Sequence, residues 1–106
     1  NRNGSFFGLM YIDLDGFKVV NDSARHDAGD IVLKSVANRM RELQRKHDIV
    51  ARLGGDEFAI IIKECKHLEQ LGLIAEKIIK AIEIPVEIKN NQSVDISASI
   101  GITIFP

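Results

Sequence analysis

The chain has 106 residues, enough for one domain and too few for two of ordinary size. Hydrophobic residues make up 45% of it, which excludes a disordered segment, and a formal net charge of −1 gives no basic field for wrapping a nucleic-acid polymer. The single cysteine, Cys65, excludes an internal disulfide and a cysteine-based metal cage. No apolar run approaches the ~20 residues of a membrane span, and no signal peptide, repeat or low-complexity tract is visible. A cytoplasmic domain that makes no membrane contact of its own is expected, compatible with a longer parent protein that is membrane-anchored elsewhere.

The first element is "FFGLMYIDLD". Its apolar run, Phe6 to Ile12, is short, aromatic-rich and nearly continuous. That predicts a strand buried on both faces. "GFKVVNDSARHDAGD" is polar and turn-rich, with a short helix at Phe17 to Asn21. From Ala28 the pattern turns helical, with Val32, Val36, Met40 and Leu43 on one stripe and Asp27 or Asp30 as candidate caps. This helix should fade near residue 46. "DIVARL" and "EFAIII" flank Gly54-Gly55, read as a two-residue hairpin turn because glycine accepts positive φ. A second helix is predicted over His67 to Glu83, with Leu71, Ile74, Ala75, Ile78 and Ile82 on its buried face and Pro85 beyond its end. "VEI" is a short strand before a turn at Asn90-Asn91. Val94 to Ile104 then alternates apolar and small or polar residues, predicting one half-buried strand. The order β-α-β-β-α-β, with one added short strand, predicts an α+β, ferredoxin-like sandwich with both helices on one face of an antiparallel sheet.

In that arrangement the end of the first strand lies beside the central hairpin. Asp13 and Asp15, two apart, project on one side. With Asp56 and Glu57 they would bring up to four carboxylates together. An unpaired cluster of that kind is repulsive, and a hard divalent cation, above all Mg²⁺, relieves it. For each acid alone, the plainer reading is a solvated strand end. Gly16, Phe17 and Lys18 follow at once, offering free helix-start amides and a point charge to phosphate. Phe17 is equally readable as core, and Asn21 and Asp30 as turn and cap residues or as partners of a base edge.

These motifs resemble the GGDEF-type diguanylate cyclase family. The signature Gly54-Gly55-Asp56-Glu57-Phe58 is intact, with Arg52 two residues before it. "DLDGFKVVND" (13–22) and "HDAGD" (26–30) match two further family motifs in order and spacing, and "SASIGIT" (97–103) resembles its late strand. The resemblance covers nearly all of residues 6 to 105. It implies a dimer of domains that condenses two GTP into cyclic di-GMP with loss of pyrophosphate. Asp13, the Leu14 carbonyl and Asp56 would hold Mg²⁺ (or Mn²⁺), and Asp56 and Glu57 would be catalytic. Asn21 and Asp30 would read guanine, while Lys18 and the amides of Gly16 and Phe17 would hold phosphates. "RKHD", Arg45 to Asp48, matches the family's RxxD inhibitory site, where product binds; its plainer reading is a charged, solvated helix end. His26 and His47 lack ligand spacing.

Arg25 stands where the family often has glycine. The family's leading "TGLPNR"-like segment and trailing basic helix are not in this chain, which implies weak GTP binding and poor turnover for residues 1–106 alone. The alternative to a cyclase is a catalytically silent GTP- or cyclic di-GMP-binding module that regulates a neighbouring domain. A more distant one is another nucleotidyl cyclase or a polymerase palm, against which Asn21 and Asp30 argue.

Overall fold

The computed structural model describes residues 4–17, 26–88 and 91–105. Among them lie β1 (Phe6–Asp15), α1 (His26–Leu43), β2 (Ile49–Gly54), β3 (Glu57–Cys65), α2 (Leu68–Glu83), β4 (Val86–Glu87), β5 (Ser93–Val94) and β6 (Ser97–Phe105). The main sheet is antiparallel with strand order β2-β3-β1-β6, the order of a ferredoxin-like sandwich; β4 and β5 pair separately.

Helix α1 runs His26–Leu43, which places Asp30 in its second turn and not at a cap; the side chain of Asp27 lies outside the described residues. Its stripe of Val32, Val36 and Met40 is fully buried. Helix α2 buries Leu71, Ala75, Ile78 and Ile82, as the 3.6-residue period requires, each large aliphatic contributing ~1.5–3 kcal/mol. At its start the Gln70 side-chain oxygen accepts from the His67 and Lys66 N–H groups, at 3.1 and 2.9 Å. Its end is held from α1: the Arg39 guanidinium donates to the carbonyls of Ala81 (2.9 Å), Ile84 and Pro85 (3.1 Å). Both helices thus pack as a unit on one sheet face, over Met10, Ile12, Ile60 and Ile62.

Two strand expectations are corrected. Strand β1 is buried on one face only, because no helix among the described residues covers the other: Phe7 and Tyr11 are 46% and 51% exposed. The alternation from Val94 to Ile104 is not one strand. Ser93–Val94 pairs with β4, the chain breaks at Asp95-Ile96, and β6 restarts at Ser97 as the sheet's edge. At that edge Ile102 and Ile104 remain 42% and 45% exposed even though they sit opposite inward-facing residues of β1. A period of two reports which residues share a face, but not whether anything packs on it.

The hairpin turn is displaced by one residue. Gly54 pairs with Glu57, leaving Gly55-Asp56 as the loop, because an irregularity between Arg52 and Gly54 inserts Leu53. Gly54 and Gly55 have φ of +152° and +52°, values that explain the glycine pair.

Candidate active site

Alternation along β1 turns Met10, Ile12 and Leu14 into the core and leaves Tyr11, Asp13 and Asp15 exposed on the outer face. In register, Asp13 stands opposite Glu57 on β3 and Ser99 on β6. Two carboxylates directly across an antiparallel ladder repel unless something neutralises them. The Leu14 N–H donates to the Asp56 carbonyl at 3.1 Å, which fixes the hairpin turn against the end of β1. Asp56 lies in that turn, half-buried, and Glu57 is exposed as the first residue of β3. Strand alternation therefore does not divide the two: Glu57 shares the face of Asp13, and Asp56 is placed by the loop.

The structure brings Asp13, Leu14, Asp56 and Glu57 to one end of β1 and β3. Asp15, on the same face, lends one oxygen to the residue opposite Asp13: its Oδ2 accepts from Ser99 Oγ at 2.9 Å. Among the described residues no three His, Cys, Asp or Glu side chains gather in metal-holding geometry. The donors present are all oxygens, and an opposed carboxylate pair fits a hard cation that takes one or two protein carboxylates and completes its shell with water and phosphate.

Gly16 follows β1 with φ +88°, in open backbone that an L side chain would strain. Phe17 is buried at 7% exposure and belongs to the core. Lys18 and Asn21 lie outside the described residues, as does the rest of the short helix expected after Phe17. Asp30 is exposed on the second turn of α1.

Arg45 and Asp48 are not a solvated helix end. The Asp48 side chain is 1% exposed, and that of Arg45 51%. Asp48 accepts from Arg45 Nε at 3.2 Å, Arg45 Nη2 and backbone N at 3.3 Å, and the Lys63 N–H at 3.1 Å. Arg45 Nη2 also donates to the Lys63 carbonyl. The pair clips the α1–β2 loop to β3 and holds one guanidinium half-open to solvent. The hydrogen bond to Asp48 raises the Arg45 pKa, against desolvation, so the charge is secure. Asp48→Ala removes the acceptor of four hydrogen bonds and should cost about 2 kcal/mol of stability, read as a lower urea midpoint. A midpoint equal to wild type would mean that the clip carries no stability.

Cys65 is buried, and burial, ahead of the lowering influence of Arg45, pushes its thiol pKa up. It is an inert core thiol. Residues that sequence reasoning missed are Arg39, Ser99 and Gln44. Only Ser99 left a signal, in the polar positions of the late alternating strand.

The family model described as diguanylate cyclase, GGDEF domain, matches residues 1–106. The bifunctional diguanylate cyclase/cyclic di-GMP phosphodiesterase MucR of Pseudomonas aeruginosa is 45% identical over 99% of this chain and 15% of its own length. The diguanylate cyclase TpbB of the same species is 38% identical over 100% of this chain and 24% of its own. The chain thus spans under a quarter of the length of either relative. The crystal structure of the GGDEF domain of TpbB from Pseudomonas aeruginosa superposes with a TM-score of 0.94, at 38% identity, over 100% of this chain and 66% of that one. A sheet that sets Asp13 against Glu57 beside a Gly-Gly turn, matched in sequence and in fold along its whole length, places this chain in the GGDEF family of diguanylate cyclase domains.

Proposed function

We propose that this domain condenses two GTP molecules into cyclic di-GMP, working in a face-to-face pair of domains that each present one GTP. The observation that carries the reading is the opposed Asp13–Glu57 pair with Asp56 held beside it. In each half-reaction a 3′-hydroxyl attacks the α-phosphorus of the other GTP. A new P–O bond forms, the bond to pyrophosphate breaks, and the hydroxyl proton passes to Asp56. Asp13, Asp56 and the Leu14 carbonyl would hold Mg²⁺ or Mn²⁺, with Glu57 in support from its place opposite Asp13. When bound, the cation neutralises triphosphate charge and acidifies the attacking hydroxyl. Gly16 and Phe17 amides and Lys18 hold phosphates. Asn21 and Asp30 read the guanine edge.

The direct test is to incubate the protein with GTP and Mg²⁺ and follow cyclic di-GMP by mass spectrometry. Absence of product with intact GTP binding would select the second reading, a silent GTP- or cyclic di-GMP-binding module. Cyclic di-GMP is also read as an inhibitor at Arg45 and Asp48, whose open guanidinium suits phosphate or guanine.

Asp30→Ala should relax the preference for GTP over ATP by about tenfold or more, because a carboxylate accepts from guanine N1 and its amino group while adenine has no N1 donor. Competition of ATP against GTP measures this. Unchanged discrimination would make Asp30 an ordinary surface residue of α1.

A further inference from the structure

The base of the β2–β3 hairpin is anchored in the core through Phe58, but its loop stands in open space: a Cβ placed on Gly54 or Gly55 would meet no atom within 4 Å. Hydrogen bonds set the loop instead. The two peptide groups that flank the Asp56 Cα are each pinned by one of them. The Asp56 carbonyl accepts from the Leu14 N–H at 3.1 Å. The Gly55 carbonyl accepts from Arg52 Nε at 3.2 Å.

The second of these bonds decides between two conformations. The φ angle is positive at Gly55, +52°, and not at Asp56, so Gly55-Asp56 is a turn of the II′ kind. Rotating the Gly55–Asp56 peptide by about half a turn gives I′, the other favoured hairpin turn, with positive φ at both residues. Glycine accepts either form, and aspartate tolerates the left-handed region. Strand pairing and local sequence therefore leave the choice open, and the partner of the Gly55 carbonyl settles it. Arg52 stands opposite Phe58 on β3 and lines the cavity beside α1 with Leu33 and Val50. Its side chain thus lies on the helix face of the sheet, away from Asp13 and Glu57. An arginine two residues before this turn could bridge its acids, yet among the described residues Arg52 forms no ion pair. Its Nε goes to a backbone carbonyl and leaves the carboxylates to other partners.

We propose that Arg52 is a positioning residue for the reaction: it locks the Gly55–Asp56 peptide in the II′ form and so aims the Asp56 carboxylate. The proposal rests on the reading of Asp56 as metal ligand and proton acceptor, and adds to it a residue on the opposite face of the sheet. A flipped peptide re-aims that side chain, and a misplacement of ~1 Å costs on the order of 100-fold in rate.

The test combines NMR and kinetics on the wild type, Arg52→Ala and Arg52→Lys. The short distance from a Gly55 Hα to the Asp56 N–H in a II′ turn gives a strong nuclear Overhauser effect, which weakens when the peptide flips. Arg52→Ala should weaken it and lower kcat by about 10- to 100-fold, with KM for GTP within about twofold of wild type. Because Arg52 is exposed, the urea midpoint should not move. Arg52→Lys, which keeps a charged donor, should recover part of both losses. A wild-type Overhauser effect in Arg52→Ala overturns the proposal, whatever the kinetics; if KM then rises steeply, Arg52 meets the substrate instead. A weakened effect with wild-type kcat overturns it as well. If the wild type makes no cyclic di-GMP but Arg52→Ala flips the peptide, the cyclase reading fails and the control of the turn by Arg52 stands.

Discussion

Asp56→Asn should lower cyclic di-GMP synthesis by about 100- to 1,000-fold or more while leaving the fold intact. The side chain is half-buried in the hairpin turn, and the contact that anchors this turn to β1 is made by the backbone carbonyl of Asp56, which asparagine retains. On the proposed mechanism, what is lost is a negative oxygen ligand and the proton acceptor for the attacking hydroxyl. Both act where charge develops in the transition state, so the rate falls more than GTP binding does. The amide is isosteric, and neither strand register nor core packing depends on the charge. Product quantified by mass spectrometry, alongside the urea midpoint, checks both halves. Synthesis at the wild-type rate would remove Asp56 from the chemistry.

Much of the site was legible because the sequence marks it with unusual residues. Adjacent glycines followed by adjacent acids have few structural uses, and the spacing of two put Asp13 and Asp15 on one side of β1. The details that escaped depend on partners far along the chain. Asp15 meets Ser99, 84 positions away, through one of its carboxylate oxygens. Asp48 sits under the Lys63 N–H, 15 positions on, which a reading of "RKHD" as surface charge cannot register. The turn moved by one residue because Leu53 is extra in β2, and a bulge has no composition of its own. That shift matters: it puts Asp56 in the loop and Glu57 opposite Asp13. The shared face of Ile100, Ile102 and Ile104 along β6 was read correctly, but the degree of burial in β1 and β6 was not, since it depends on which face the helices cover.

Phe58→Ala should produce the largest loss of stability at the site, about 3–5 kcal/mol, against a total of ~5–15 kcal/mol for a domain of this kind. Phe58 is 2% exposed and stands between Ile12 of β1 and Arg52 of β2, immediately after Asp56 and Glu57. Its ring anchors the start of β3 in the core, so the turn that presents Asp56 is positioned by apolar packing rather than by its own short loop. Truncation leaves a cavity that neighbouring strands cannot close without disturbing the register of Glu57 against Asp13. Synthesis should therefore fall with stability. Phe58→Leu separates packing from chemistry: it fills most of the space, should cost about 1–1.5 kcal/mol, and should keep measurable synthesis. Urea denaturation of wild type and both variants, with cyclic di-GMP production measured well below each midpoint, gives the comparison. If Phe58→Ala unfolds at the wild-type midpoint, Phe58 does not anchor the hairpin. If Phe58→Leu is folded yet as inactive as Asp56→Asn, the ring acts at the substrate and not through the core.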